Sequence, residues 1–321
     1  MPELRFNRLR GEWVAYATER NDRTFLPAGP AGACPLCPSG PGGTSEIPLD
    51  DFEVVVFENR FPALGPDRGP DGRPRRPPSS GCEVVVYTPD HDATLADLDE
   101  RRVRLLVDVW ADRYLRLGSR DEVAYVFEFE NKGEAMGVTL HHPHGQIYAM
   151  PFVPPVAAAE LEAAARHRRA TGRCLHCDLV AAERGGERLL FAHRGMVAFV
   201  PEAARWPYEL HLYPERHAGS LAALASAERD ALAAALLEAV RTYDRHFGFS
   251  TPSVMAIHQA PTGGEPAGGD GAHVHVELYP PNRQPDRLKY VAGVELGAGT
   301  FVNDTLPERT AAQLRRASRL A

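Results

Sequence analysis

The chain has 321 residues, of which 44% are hydrophobic and 25% are charged, and its formal net charge is −7. This negative balance argues against nonspecific binding to nucleic acid, which requires a basic surface. No apolar run reaches the length of a membrane span, and the N-terminus lacks a signal-peptide pattern. We therefore expect a cytoplasmic protein whose length suits two domains of ordinary size.

In chain order, the first half begins with an irregular segment, residues 27–43, which contains the first Cys-x-x-Cys pair. Residues 65–81, rich in proline, glycine and arginine, predict a solvated surface loop. An apolar, strand-like run over residues 84–87 and Pro89 then precede His91. Apolar residues at mostly three- and four-residue spacing predict a long helix next: Leu98, Val103, Leu106, Trp110, Tyr114 and Leu117.

The pentapeptide His142-Pro143-His144-Gly145-Gln146 lies near the middle of the chain. If this segment is extended, its first, third and fifth side chains share one face, because alternate residues of a strand point the same way. Gly145 would leave room for another backbone or for a ligand. The pattern suits a metal ligand beside a nucleophile beside a donor to phosphate.

The second half repeats this order. An Ala-rich helical stretch over residues 157–169 contains the predicted join, and the second Cys-x-x-Cys pair follows at Cys174 and Cys177. A strand-like run over residues 210–213 and Pro214 precede His217. A second helix, ending near Gly248, is predicted from a similar apolar spacing: Leu224, Leu232, Leu236, Val240 and Tyr243.

A glycine-rich connection, residues 263–271, then leads to the alternating run His273-Val274-His275-Val276-Glu277. We interpret the two halves as a tandem duplication, because two chance copies in one register are improbable. The predicted fold class is α+β, with an antiparallel sheet crossed by a helix in each half. The predicted domains are residues 1–155 and 156–321.

In a reducing compartment, Cys-x-x-Cys pairs indicate metal ligands or redox centres rather than structural disulfides. Zinc favours four thiolate and imidazole ligands, and the repeat supplies one such set in each half: Cys34, Cys37, His91 and His142, then Cys174, Cys177, His217 and His273. The alternatives are buried thiols or one shared four-cysteine site. The remaining single histidines are interpreted as ordinary surface or core residues: His141, His167, His176, His193, His211 and His246.

If His142 binds a metal, His144 retains a free ring nitrogen two residues later. A neutral imidazole is a good nucleophile when its other nitrogen is held protonated. Attack on phosphorus would give a phosphoramidate that can pass its phosphoryl group onward. Gln146 has no acid or base function at neutral pH but can donate hydrogen bonds to phosphoryl oxygens. An amide at this position favours transfer to a second substrate over hydrolysis. The alternative is a purely structural His-x-His strand.

These residues resemble galactose-1-phosphate uridylyltransferase, a branch of the histidine triad superfamily. The resemblance is carried by segments spread over nearly the full length: Ala33-Cys34-Pro35-Leu36-Cys37, Phe57-Glu58-Asn59-Arg60-Phe61-Pro62-Ala63-Leu64, Pro89-Asp90-His91, Phe129-Glu130-Asn131-Lys132-Gly133-Glu134-Ala135-Met136-Gly137, the central pentapeptide and Tyr279-Pro280-Pro281. It implies two tandem histidine-triad-like domains and a double displacement. His144 would accept UMP from UDP-glucose, and galactose 1-phosphate would then take it.

The resemblance also implies roles for individual residues. Gln146 and Asn131 would bind the transferred phosphoryl group, and Thr139 could reach a phosphate oxygen. The uridine side would be contacted by Asn59 and Phe61, with Arg20 and Arg23 as charged partners. The hexose site would draw on Lys289, Gly293 and Glu295 from the neighbouring subunit, which implies a homodimer.

The chain departs from the better-known bacterial enzymes in two places. They build their second metal site from a glutamate and three histidines. Glu160, His258 and His275 look like the matching places, but Glu277 replaces a histidine. The second Cys-x-x-Cys set is therefore the first choice for the second metal, and Glu160, His258 and His275 are the rival ligands. Either arrangement implies one or two structural Zn²⁺ ions per subunit. Val294 replaces a tyrosine in the hexose segment.

Three other functions remain open. The two Cys-x-x-Cys pairs are also similar to a branch of nucleotidylyltransferases or phosphorylases that use ADP-glucose. A regulatory or zinc scaffold protein without turnover is disfavoured by the intact pentapeptide. A hydrolase is disfavoured by Gln146 at the third position of the triad.

Overall fold

A computed structural model describes residues 2–24, 34–64, 81–262 and 271–321. The predicted surface loop 65–81 and the connection 263–271 lie outside the described residues except for their last glycines. Segment 27–43 is described only from Cys34 onward.

The described residues form thirteen strands and six α-helices. The strands are β1 Glu3–Asn7, β2 Glu12–Tyr16, β3 Val55–Glu58, β4 Cys82–Val86, β5 Tyr125–Lys132, β6 His144–Met150, β7 Leu189–His193, β8 Met196–Phe199, β9 Leu210–Pro214, β10 Ser253–His258, β11 His275–Tyr279, β12 Asn282–Gln284 and β13 Arg287–Leu288. The helices are α1 Glu100–Gly118, α2 Pro155–Thr171, α3 Leu175–Arg184, α4 Ser226–Phe247, α5 Gly293–Ala298 and α6 Pro307–Ala317.

Both predicted long helices are confirmed. Helix α1 begins after Asp99, whose carboxylate accepts a hydrogen bond from the Arg102 amide, and its apolar stripe is buried. Leu98, predicted as part of this stripe, precedes the helix, and Leu224 of the second stripe likewise precedes helix α4. Helix α4 ends at Gly248, whose φ of 81° suits glycine.

Nine strands form one antiparallel sheet in the order β3-β4-β6-β5-β10-β11-β9-β8-β7. The two predicted half-sheets are therefore parts of one sheet, joined where β5 pairs with β10. The strand order is mirrored about this pair, since β6 and β11 come next on either side and then β4 and β9. Pairing β5 with β10 satisfies backbone groups that two separate sheets would leave at exposed edges.

Helices α1 and α4 pack against each other and against one face of the sheet. Strand β6 alternates accordingly: Gly145, Ile147 and Ala149 are buried toward the helices. His144 and Gln146 lie on the opposite, partly open face. The fold thus presents His144 and Gln146 on the face that the two long helices leave free. None of the helices in the described part of the chain combines the length and apolar character needed to cross a membrane.

Candidate active site

The pentapeptide places its two histidines in different hydrogen-bonding roles. Nδ1 of His144 lies 2.7 Å from the carbonyl oxygen of His142. Because a carbonyl oxygen only accepts, Nδ1 is the protonated nitrogen and Nε2 keeps a free lone pair. Burial lowers the pKa of His144, which favours this neutral form. The ring is therefore held as a neutral imidazole with one nitrogen available for attack.

The first predicted metal set is brought together. The ligand atoms of Cys34, Cys37, His91 and His142 all lie within 4.8 Å of one another. The Cys37 Sγ atom lies 3.4 Å from Nδ1 of His91 and 3.5 Å from Nδ1 of His142. His142 donates from Nε2 to the Thr88 carbonyl at 2.7 Å, so its Nδ1 presents a lone pair to the cluster.

The donor set fits zinc, which takes four ligands of this type. Burial and the adjacent Cys34 raise the pKa of the Cys37 thiol to about 12. Cys37 therefore bears thiolate charge only where a cation compensates it. These four side chains could therefore hold a metal ion, and His142 among them lies two residues before His144.

A cavity of about 250 Å³ borders His144. Predicted site residues that line it are Arg23, Asn59, Phe61, Thr139 and Gln146. A smaller cavity of about 30 Å³ also borders His144 and is lined by Asn131. Arg20 lines neither cavity and instead donates to the Tyr148 hydroxyl at 2.8 Å.

The room left by Gly145 is filled by a side chain. A Cβ atom at this position would overlap the Tyr87 hydroxyl and would lie 3.2 Å from the Phe129 carbonyl oxygen. Both neighbours belong to the protein, so the glycine admits Tyr87 rather than a ligand. Of the two neighbours expected at Gly145, another backbone or a ligand, the structure has a backbone, the Phe129 carbonyl, together with the Tyr87 side chain.

The second half repeats these contacts almost atom for atom. His275 bonds through Nδ1 to the carbonyl of His273 at 2.8 Å, and His273 bonds through Nε2 to the carbonyl of Pro214 at 3.0 Å. The ligand atoms of the second predicted set lie within 4.8 Å of one another: Cys174, Cys177, His217 and His273. The donor set is again one that zinc favours.

The two halves of the chain differ in the space beside the second histidine of each His-x-His segment, which is His144 in the first half and His275 in the second. The cavity at His275 measures only about 10 Å³. His176 lies within the second Cys-x-x-Cys segment, at the place that Leu36 takes in the first. Its ring centroid lies 5.4 Å from that of His275. The Tyr213 ring stacks on His275 at 4.5 Å. Among the described residues, the cavity beside His275 is therefore too small for a nucleotide.

The rival set forms a separate cluster that shares no residue with the second cysteine set. Glu160 lies 3.0 Å from Nδ1 of His258, and Glu277 lies 3.4 Å from Nε2 of the same ring and 3.5 Å from His275. Although burial favours neutral Glu277, the neighbouring His211, His258 and His275 hold its pKa below the ordinary value. The two candidate second sites are thus adjacent rather than mutually exclusive.

Two histidines interpreted as ordinary lie in these surroundings. His211 places Nε2 2.9 Å from Glu209 and 3.1 Å from Glu277. Burial and the nearby His275 and His273 lower the pKa of His176 to about 3. The sequence pattern gave no signal for either residue, because each is brought to the cluster by strand pairing or by the Cys-x-x-Cys turn.

In the predicted hexose segment, residues 289–295, two charged side chains pair with each other. The Lys289 ammonium lies 2.9 Å from the Glu295 carboxylate, and both side chains are buried. Gly293 is the first residue of α5. None of these three residues lines either cavity at His144 within the described part of the chain.

Comparison with known proteins gives one consistent result. The family model "Galactose-1-phosphate uridyl transferase, N-terminal domain" matches residues 1–154, and the corresponding C-terminal domain model matches residues 160–321. The chain is 38% identical to a galactose-1-phosphate uridylyltransferase of Thermotoga maritima, over 98% of both chains. It is 40% identical to that of Streptomyces lividans, over 98% of this chain and 86% of the relative.

Solved structures agree. A uridylyltransferase structure superposes with a TM-score of 0.86 at 36% identity, covering 98% of each chain. An ADP-glucose phosphorylase from Arabidopsis thaliana superposes with a TM-score of 0.76 over 99% of each chain, at 23% identity. The second likeness concerns the fold alone.

Proposed function

The chain belongs to the galactose-1-phosphate uridyl transferase family, and on this premise we propose that it transfers UMP from UDP-glucose to galactose 1-phosphate. The enzyme is a nucleotidyltransferase of galactose metabolism. The transfer proceeds in two displacements through a uridylyl group on His144.

In the first displacement, Nε2 of His144 attacks the α-phosphorus of UDP-glucose. A P–N bond forms, the bond from the α-phosphorus to the bridging oxygen breaks, and glucose 1-phosphate leaves with the electron pair. In the second, a phosphate oxygen of galactose 1-phosphate attacks the same phosphorus and the P–N bond breaks. The proton on Nδ1 stays on the ring throughout, because the His142 carbonyl holds it at 2.7 Å.

The proposal rests on one observation: His144 is held with its proton on Nδ1, and its ring borders a cavity of about 250 Å³. Gln146 would donate to the phosphoryl oxygens as charge develops there, and Asn131 and Thr139 would bind phosphate nearby. Asn59 and Phe61 would contact uridine, with Arg23 as the charged partner in the same cavity.

The test is to incubate the protein with UDP-glucose in the absence of acceptor and to measure the mass of the peptide that contains His144. We expect the mass of one uridylyl group on that peptide and a stoichiometric release of glucose 1-phosphate. Continuous release would indicate a hydrolase, and no release would contradict the transferase. The protein with His144→Ala should neither be labelled nor catalyse exchange.

ADP-glucose is the alternative donor, supported by the fold shared with the Arabidopsis phosphorylase and by the second cysteine pair. Parallel exchange assays with UDP-glucose and ADP-glucose distinguish the two. We expect the uridine nucleotide to be preferred, since the 36–40% identical relatives are uridylyltransferases.

For the metals, we propose structural zinc at both cysteine–histidine sets. At the first set, Cys34, Cys37, His91 and His142 would hold the ion. Zinc bound by four protein ligands has no open position for substrate. Its contribution is to fix His142, whose carbonyl in turn orients His144. At the second set, the ion would join the Cys-x-x-Cys turn to His217 and His273.

We further propose a cytoplasmic homodimer, with the division into domains after residue 155. In the dimer, Lys289, Gly293 and Glu295 of one protomer would complete the hexose site of the other. Support comes from the exposed apolar residues that flank this segment: Tyr290 is 70% and Leu296 is 64% exposed. Such side chains are suited to burial against a second copy.

A further inference from the structure

Gln146 is connected to a short chain of hydrogen bonds behind the cavity. An Nη1 donor of Arg20 lies 2.8 Å from the Tyr148 hydroxyl oxygen. The same hydroxyl lies 3.4 Å from Oε1 of Gln146. The Tyr148 ring is fixed by an edge-to-face contact with Phe129, whose centroid is 5.0 Å away.

The direction of each bond follows from what the groups can do. A guanidinium has donors and no acceptor, so the Tyr148 oxygen must accept from Arg20. The hydroxyl proton is then available to donate, and the amide oxygen of Gln146 is the acceptor within reach. Burial raises the pKa of Tyr148, so that proton is retained at neutral pH.

This arrangement determines which end of the amide faces the substrate. The two ends of a glutamine differ only in their hydrogen bonding, and rotation by half a turn exchanges them. With Oε1 held by Tyr148, the NH₂ group is left to donate into the cavity that Gln146 lines. The reverse orientation would present an oxygen to an anionic phosphoryl group.

The second half contains the same three-residue chain. Arg205 lies 3.4 Å from the Tyr279 hydroxyl, and Tyr279 donates to Glu277, the counterpart of Gln146. There the third member is a carboxylate, which has no NH₂ end to orient. The two tyrosines occupy equivalent positions, whereas Arg20 precedes the first Cys-x-x-Cys pair and Arg205 follows the second. Among the described residues, the first half joins its arginine–tyrosine pair to an amide beside a cavity.

We propose that Tyr148, held by Arg20, is a positioning residue that fixes the Gln146 amide with its NH₂ group toward the transferred phosphoryl group. The inference rests on the proposed uridylyl transfer. It assigns Arg20 a place behind the cavity, acting through Tyr148, rather than a contact with nucleotide.

The test is a double-mutant cycle on the rate of single-turnover uridylylation, using Tyr148→Phe and Gln146→Ala in the full-length protein. Phenylalanine keeps the ring packing and removes one neutral hydrogen bond. We expect Tyr148→Phe alone to slow uridylylation about fivefold, with UDP-glucose affinity changed less than about twofold. In the Gln146→Ala background the same substitution should change the rate less than about twofold, since the group it positions is gone.

Tyr114→Phe is the matched control, because it also removes one tyrosine hydroxyl, here one that donates to the Ala260 carbonyl in the core at 3.1 Å. It should leave the uridylylation rate unchanged. An equal loss from Tyr148→Phe with and without Gln146 would overturn the inference, as would no loss with Gln146 present. Failure of the unsubstituted protein to become uridylylated would instead overturn the proposed function, so the two failures are distinguishable.

Discussion

His144 and His275 are held by the same hydrogen bond in the two halves of the chain, from Nδ1 to the carbonyl oxygen two residues earlier, at 2.7 Å and 2.8 Å. In the first half this hydrogen bond leaves Nε2 of His144 with a free lone pair. The surroundings of the two rings differ. A 250 Å³ cavity borders His144, whereas His275 faces the Glu277 carboxylate at 3.5 Å. The duplicated framework thus holds two imidazoles by the same bond, and the larger of the two cavities borders the first of them.

Free imidazole should restore the first displacement to a protein that lacks the His144 side chain. Replacing His144 with glycine vacates the space of one imidazole but leaves the His142 carbonyl and Gln146 in place. Free imidazole supplied with UDP-glucose should then attack the α-phosphorus and leave as uridylyl-imidazole. Phosphorus NMR measures the product. The His144→Ala protein without imidazole is the blank, and absence of product at any imidazole concentration would count against the covalent route.

Metal analysis should distinguish the two cysteine–histidine sets. Cys37→Ser and Cys177→Ser should each lower the zinc content by one ion per chain, because each removes a thiolate from a different set. Only Cys37→Ser should slow transfer, by roughly tenfold or more, since its set holds the residue whose carbonyl orients His144.

Cys82→Ser is the control for this experiment, because Cys82 is buried and lies outside all three metal-ligand groups found among the described residues. It should leave the zinc content unchanged. Zinc contents unaffected by Cys177→Ser would indicate that the second metal lies at Glu160, His258, His275 and Glu277 instead.

The sequence allowed the repeat, both long helices and the two cysteine–histidine sets to be recognised, because they follow from local spacing and from the order that the two halves share. The rival set of Glu160, His258 and His275 was implied only by the resemblance, in which Glu277 replaces a histidine. The sequence did not indicate that β5 pairs with β10, since strand pairing across the two halves leaves no local pattern. For the same reason it presented the Glu160 cluster as a rival of the second cysteine set. Only the paired strands show that the two clusters lie side by side.

The contacts of Arg20 show the same limit at the level of one side chain. The resemblance implied a charged contact on the uridine side, and the structure places its guanidinium on Tyr148, 128 positions away in sequence. Spacing identifies residue types that suit a phosphate. It does not say whether a side chain reaches the phosphate or stands behind another group.

Complementation between protomers should test the shared hexose site. In a dimer whose hexose segments act in the partner's site, combining one His144→Ala chain with one Lys289→Ala chain gives one site with both substitutions and one with neither. If the segment acts in the partner's site, a purified heterodimer should have about half the unsubstituted activity, while each homodimer is inactive. Two differently tagged chains and a transfer assay provide the measurement. An inactive heterodimer would place Lys289 in the site of its own protomer.

Substitutions at Gly145 and Tyr87 should have non-additive effects on the free energy of unfolding. A methyl group at residue 145 overlaps the Tyr87 hydroxyl on the helix-covered face of β6, so Gly145→Ala should lower the free energy of unfolding by about 1–3 kcal/mol. The Tyr87 hydroxyl is buried with no hydrogen-bond partner among the described residues. Tyr87→Phe alone should therefore be neutral or mildly stabilising.

The double variant should recover part of the loss, because removing the hydroxyl takes away the nearest overlapping atom. Recovery should remain incomplete, since the Tyr87 ring carbon and the Phe129 carbonyl oxygen both lie 3.2 Å from the added methyl position. Urea unfolding of the four proteins, with unchanged m-values, measures the coupling. Strictly additive effects would mean that the strand shifts away from Tyr87, and the glycine would then be required for another reason than this close approach.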